Sequence, residues 1–165
     1  MKCEQWQLAL ALFSEALDTR LESNVISWNV AISACETGEQ WQLALSLFND
    51  MQEAKLEPDV ASYNIVINVC GNGEQWQQAL TLLRGMSGAI LEPNVISFNA
   101  GISACETAVQ WQHAFLLLSE MREAKLEPDV MSYNAGINAC ARGRHWQRAL
   151  SLFAQLREAK LEPDV

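Results

Sequence analysis

Apolar residues in this chain recur at intervals of three and four over runs of about a dozen positions, the pattern of helices that bury one face. In one run Trp28, Ile32 and Cys35 fall on a single face, with Asn29, Ser33 and Glu36 on the adjacent one. In the next, Trp41, Ala44, Phe48 and Met51 form a stripe that Leu45 and Leu47 widen. A turn signal separates the two, so the pattern predicts a helix A followed by a helix B. Further copies of helix B read Trp76, Ala79, Leu83, Met86 and Trp146, Ala149, Phe153, Leu156. Ser27 is the expected N-cap of helix A, and Gly38, Gly73 and Gly143 stand where a left-handed residue would end it, with Ala108 the exception. Helix B should stop before a Leu-Glu-Pro stretch, because Pro disfavours helix in the residue ahead of it.

The pattern is periodic. The dipeptide Trp-Gln occurs at Trp6, Trp41, Trp76, Trp111 and Trp146, each 35 residues after the last. Leu-Glu followed by Pro or Ser recurs at Leu21, Leu56, Leu91, Leu126 and Leu161, and all four prolines (Pro58, Pro93, Pro128, Pro163) lie in that motif. Ser-aromatic-Asn gives Ser27-Trp28-Asn29, Ser62-Tyr63-Asn64, Ser97-Phe98-Asn99 and Ser132-Tyr133-Asn134. A helical hairpin of this size cannot cover its own apolar faces and must stack on its neighbours. The expected fold is all-α: a right-handed α-solenoid superhelix of antiparallel helix-turn-helix units. The units are 1–24 (second helix only, from Glu4 to roughly Ala16), 25–59, 60–94, 95–129 and 130–164, with residue 165 opening another. Four A helices and five B helices are expected. Neither end carries a polar capping helix, which predicts a slice of a longer array whose ends can associate end to end with other copies.

Composition narrows the function classes. Half of the 165 residues are apolar, enough for a core. No stretch approaches the ~20 apolar residues that span a bilayer, and the start, MKCEQWQ, lacks the greasy run of a signal peptide, so no membrane partner is expected. Five Cys is an odd number in a chain too large to depend on disulfides, which favours reduced thiols and an intracellular compartment. Four of them, Cys35, Cys70, Cys105 and Cys140, recur at the repeat period as small buried apolar residues; Cys3 is out of phase. Nothing resembles paired Cys-x-x-Cys or clustered His, so no metal and no cofactor is expected. The aromatics Trp28, Tyr63, Phe98 and Tyr133 belong to the inward stripe, and His113 and His145 are expected to face solvent. Glu57, Glu92, Glu127 and Glu162 form a solvated edge, since a fourfold ladder makes no unique pocket; the chain is not expected to be an enzyme.

A 34-residue helical hairpin would be the tetratricopeptide repeat, but the step here is 35. Counted from Val25, Val60, Val95 and Val130, each unit reads V-x-S-aromatic-N near its start. An Ala-Leu-x-Leu-Phe type run follows in the second helix, and Pro-Asp or Pro-Asn closes the unit. That order resembles the pentatricopeptide repeat over essentially the whole chain. Two features depart from it: Trp opens helix B where the family more often has Leu, and Cys-Glu-Thr-Gly replaces a more basic turn.

The resemblance implies single-stranded RNA as partner, one nucleotide per unit, in an organelle, mitochondrion or plastid, and in RNA processing. The positions matching the family's base readers are Asn29 with Asp59, Asn64 with Asn94, Asn99 with Asp129, and Asn134 with Asp164. Asn with Asp resembles a reader of U, and Asn with Asn one that accepts C or U, so the implied register is U, C/U, U, U. Ile26, Ala61, Ile96 and Met131 match the base-sandwiching position, and Arg142 a phosphate-contacting one. The residues themselves lend support, because a carboxamide offers a donor and an acceptor to a pyrimidine edge whereas a carboxylate only accepts.

Charge pulls the other way. Eleven basic against twenty acidic residues leave a net charge of -9 and a pI near 4.6, the wrong sign for bulk attraction to phosphates. The first full unit is the most acidic and the fourth, with Arg142, Arg144 and Arg148, is net basic. This predicts feeble affinity with a shallow salt dependence. It also keeps open a different class of function, an acidic solenoid that scaffolds protein partners by holding a basic peptide or helix. A third possibility is a structural segment whose reading is done by repeats elsewhere.

Overall fold

The computed structural model describes residues 5–18, 24–38 and 40–159. Among them lie nine helices and no strand: α1 (Gln5–Asp18), α2 (Val25–Thr37), α3 (Trp41–Glu53), α4 (Val60–Asn72), α5 (Trp76–Gly88), α6 (Val95–Thr107), α7 (Trp111–Glu123), α8 (Val130–Arg142) and α9 (Trp146–Glu158). The even-numbered helices are the A helices and the odd-numbered ones the B helices. None is long and apolar enough to cross a membrane among the described residues.

Each A helix packs against its own B helix, the preceding B helix and the neighbouring A helices, whereas consecutive B helices stand further apart and touch only through side chains such as Trp76 with His113 and Arg122 with Gln155. The A layer is therefore the closely spaced inner one, and the stack curves with A helices on the concave side: an α-solenoid of antiparallel hairpins. Close approach within the A layer needs small side chains. A Cβ added to Gly71 would stand 2.9 Å from the Cβ of Ala104 and 3.1 Å from its Cα.

The core runs lengthwise between the layers. Ile32, Met51, Ile67, Met86, Ile102 and Met121 are fully buried, each contributing about 1.5–3 kcal/mol by leaving water. Trp28, Tyr63, Phe98 and Tyr133 are buried among them, and the rings of Phe13 and Phe48 meet Trp28 and Tyr63 edge-on at 5.0 Å. Cys35, Cys70, Cys105 and Cys140 are buried free thiols. Cys3, Leu161, Glu162 and Pro163 lie outside the described residues.

Three local expectations are corrected. Helix A is not capped by Ser27. The caps are Asn24, Asp59, Asn94 and Asp129, each in extended conformation with a side-chain oxygen accepting from the backbone N–H three residues on. Asn and Asp cap as well as any residue, and the serine at the third helical position returns the bond: the N–H of Asp59, Asn94 and Asp129 donates to Ser62, Ser97 and Ser132 Oγ at 3.2, 3.1 and 3.1 Å.

Gly38, Gly73 and Gly143 are not the left-handed residues either; their φ angles are -98°, -80° and -75°. The positive φ falls one residue later, at Glu74, Val109 and Arg144. There the Gln75, Gln110 and His145 N–H groups reach back to the Cys70, Cys105 and Cys140 carbonyls, closing Schellman turns. The glycines answer a different demand: a Cβ would stand 2.8 Å from the Trp6 ring, 2.7 Å from Trp41 and 3.0 Å from Trp111 respectively. Trp6, Trp41 and Trp111 of the Trp-Gln motif thus seat their rings on the A-helix end of the next unit.

Nor do the histidines face open solvent. His113 lies half-buried against Trp76, ring centroids 4.7 Å apart, and His145 against Trp111 at 4.1 Å, with the Arg148 guanidinium 5.0 Å from the Trp111 ring. Trp111 thus meets both Gly143 and His145, and Trp76 offers His113 the same flat apolar surface.

Candidate nucleic-acid interface

On each A helix the second, fifth, sixth and ninth residues share one face by the i, i+3, i+4, i+7 rule; the second and ninth are exposed in every unit, while the sixth packs against the core at Ile65, Ala100 and Ala135. Neighbouring A helices are tied start to start and end to end. At the ends, Asn72 Nδ2 donates to Glu36 Oε1 at 3.0 Å, Thr107 Oγ1 to the Gly71 carbonyl at 3.1 Å, and an Arg142 guanidinium N–H to the Glu106 carbonyl at 3.0 Å. At the starts, Asn29 Nδ2 lies 3.5 Å from Asp59 Oδ1, and Asn99 Nδ2 donates to both Asp129 oxygens at 3.1 and 3.2 Å. Ties of like to like make the A helices parallel, so their outward faces join into one strip.

The four aliphatic positions stand out on it. Ile26 is 70% exposed, Ile96 61% and Met131 68%, and Ala61 is exposed as well. The asparagines sit lower, in the creases between neighbouring A helices: Asn29, Asn99 and Asn134 are half-buried and Asn64 is only 8% exposed. Asn29 meets Asp59 and Asn99 meets Asp129, but no hydrogen bond joins Asn64 to Asn94. Asp164, the expected mate of Asn134, lies outside the described residues. Arg142 is exposed, and one guanidinium N–H donates to the Glu106 carbonyl.

Two of the carboxylates are held ionised. Burial pushes Asp129 up, but hydrogen bonds to the charged form, the Ser132 N–H first and the Asn99 carboxamide among them, outweigh it and leave the group below the ordinary carboxylate range. Asp59 is lowered in the same way, burial being opposed by Ser62 and Asn29. Both carboxylates therefore cap the helix of the next unit and face an asparagine of their own.

Sequence reasoning passed over two parts of this surface. Val30 is exposed beside Ile26, one helical turn on, where the other units carry Ile65, Ala100 and Ala135; its i+4 spacing from Ile26 was the available signal. The serines Ser62, Ser97 and Ser132 are fully buried at the third helical position, and the Asn/Asp-x-x-Ser spacing was the sign of a capping box.

Comparison with known proteins bears on the whole stack. The PPR repeat family matches residues 23–72 and 93–142, and the PPR repeat matches 61–89 and 131–161. No curated protein matches the chain significantly. Among solved structures, PPR10 in complex with an 18-nt psaJ RNA element superposes with a TM-score of 0.82 at 22% identity, over 94% of this chain and 23% of that one. PPR10 from maize gives 0.74 at 24%, over 97% and 23%. The PPR domain of Arabidopsis thaliana protein-only RNase P 1, in complex with tRNA, gives 0.81 at 15%, over 97% and 84%. The chain thus spans less than a quarter of PPR10, and at these identities the likeness is one of fold. With the repeat signatures matched over most of its length and laid on a stack of paired helices, the chain belongs to the pentatricopeptide repeat family.

Proposed function

We propose that this chain binds single-stranded RNA along the exposed strip of its A helices, one nucleotide for each of the units 25–59, 60–94, 95–129 and 130–164, without catalysing a reaction itself. The observation that carries the reading is the bonding of Asn99 to Asp129 at the foot of the exposed Ile96 and Met131. A polar pair that can meet a base edge lies beside aliphatic groups that can cover base faces. Solved relatives of the same fold are in complex with RNA. The readers are Asn29 with Asp59, Asn64 with Asn94, Asn99 with Asp129 and Asn134 with Asp164, in the register U, C/U, U, U. Ile26, Ala61, Ile96 and Met131 sandwich the bases, Ala61 least firmly because it is small. Arg142 reaches a phosphate with its remaining N–H groups. The setting is organellar RNA processing, with the processing activity supplied by other segments or partners.

The net charge of -9 favours a second reading, an acidic scaffold for a basic peptide or helix. Fluorescence anisotropy with short U-rich, C-containing and A-rich RNAs separates the two. Tightest binding to UCUU or UUUU cores supports base reading; equal and negligible binding to all three RNAs, with capture of a Lys/Arg-rich peptide, supports the scaffold and ends the RNA reading.

A further inference from the structure

The three described asparagines with a described mate are held to different degrees, and the difference lies in a residue of the following unit. Asn99 is bonded at both ends of its carboxamide: Nδ2 donates to the Asp129 carboxylate, and Oδ1 lies 2.5 Å from the hydroxyl of Ser132. Ser132 has one proton. Its Oγ accepts from the Asp129 N–H at 3.1 Å and has two acceptors in reach, Asp129 Oδ1 at 2.9 Å and Asn99 Oδ1 at 2.5 Å; Asp129 already receives the Ser132 backbone N–H at 2.9 Å and the Asn99 Nδ2, so the proton goes over the shorter contact, to Asn99. Asn29 has only the long contact to Asp59, and its buried Oδ1 has no partner. The Asn64 Oδ1 is likewise buried and without a partner, while Asn94 turns its oxygen to the N–H and hydroxyl of Ser97 at 3.0 Å.

Rotating a carboxamide by half a turn exchanges its donor for its acceptor. For Asn99 that rotation would aim Oδ1 at the Asp129 carboxylate, acceptor against acceptor, and break the bond from Ser132. We propose that Ser132 is a positioning residue for base recognition: together with Asp129 it locks the Asn99 carboxamide in one orientation and makes the third unit the strictest reader of the array. The inference rests on the base-reading function proposed above. With Nδ2 turned to Asp129 and Oδ1 engaged by Ser132, what Asn99 offers a base is its second N–H. A fixed donor suits the O4 acceptor of U and meets the N4 amino group of C donor to donor. Asn64, with neither end held, can turn either way and take both pyrimidines. The base read by one unit is thus fixed in part by the first turn of the next.

The test compares RNAs that differ only by U or C at the third base, and in a second pair at the first base, titrated against the unmodified chain, Ser132→Ala and Ser62→Ala. Ser62 occupies the same capping box, yet Asn29 Oδ1 receives nothing from it, so Ser62→Ala is the matched structural control. Loss of the hydroxyl at Ser132 should lower the U-over-C ratio at the third base roughly five- to tenfold, the worth of one buried hydrogen bond, and leave the first-base ratio alone. Ser62→Ala should change neither ratio. If the unmodified chain prefers U at the third base and Ser132→Ala prefers it equally, the inference is overturned while the base-reading function stands. If the unmodified chain ignores the third base, both fall. A measurement without any variant covers a Ser132→Ala chain that fails to fold. In RNA-free protein the Asn99 carboxamide protons should exchange with solvent roughly tenfold more slowly than those of Asn29, which is half-buried like Asn99 but has only the long contact to Asp59. Equal rates refute the lock.

Discussion

Gly73 and Trp41 share one volume of space: a Cβ on the glycine would stand 2.7 Å from the indole Cδ1 and 3.0 Å from Cγ, closer than two carbons can pack. Gly73→Ala must therefore push the indole out of its seat, and we expect a loss of about 1–3 kcal/mol in urea unfolding. Gly85 is the contrast. It lies inside α5 with nothing within 4 Å of its absent side chain, so Gly85→Ala should raise stability by about 0.5–1 kcal/mol. Equal responses at the two sites would contradict the packing described.

Asp59 and Asp129 tie stability to acid. Both carboxylates sit below their ordinary pKa when folded, so their contribution is full above the unfolded value of about 3.9 and is lost as pH falls through the folded one. Thermal melts should hold steady from neutrality down to about pH 4 and then drop. Asp129→Asn keeps a capping oxygen without the titratable charge and should flatten part of that drop, whereas Asp129→Ala should cost about 1 kcal/mol at neutral pH. An Asp129→Asn chain with the full acid sensitivity would show that its titration does not matter.

The thiol ladder should be inert. Burial pushes Cys70 up to about 11 and Cys105 to about 12, and raises Cys35 and Cys140 too. At pH 8 these four should resist alkylation until the chain unfolds. Prompt labelling of Cys70 or Cys105 in native buffer would mean that the inner layer opens locally.

On the RNA side, Ile96→Ala should weaken binding to all four bases alike, by about 1 kcal/mol of lost apolar cover, without altering preference. Arg142→Ala should make the slope of log K against log salt shallower by roughly 0.7 if its guanidinium neutralises one phosphate of a single strand. An unchanged slope assigns Arg142 to the Glu106 carbonyl alone.

The fold class and the family were legible because apolar spacing and a 35-residue step are properties of sequence. Local detail was less so. Ser27 looked like a cap because Ser caps well in isolation; the competition with Asn24, an equally good cap three residues earlier, is decided by where helical hydrogen bonding begins. The glycines were read by backbone preference, whereas their cause is the ring of a residue 32 positions upstream in the chain, as Trp41 is to Gly73. His113 and His145 looked idle because their partners, Trp76 and Trp111, are reached only across units. Within the candidate site, helical spacing sets which residues share a face, but the depth of Asn64 depends on how tightly neighbouring A helices approach.

The caps at Asn24, Asp59, Asn94 and Asp129 also restrict how such an array can be rewritten. Each closes one unit and starts the helix of the next, so an exchange made there to alter recognition is judged first by whether the following helix still begins. Only Asn, Asp, Ser and Thr meet that demand well among residues with a side chain. Folding therefore limits the last letter of every unit to a vocabulary of about four, whatever the nucleotide to be chosen.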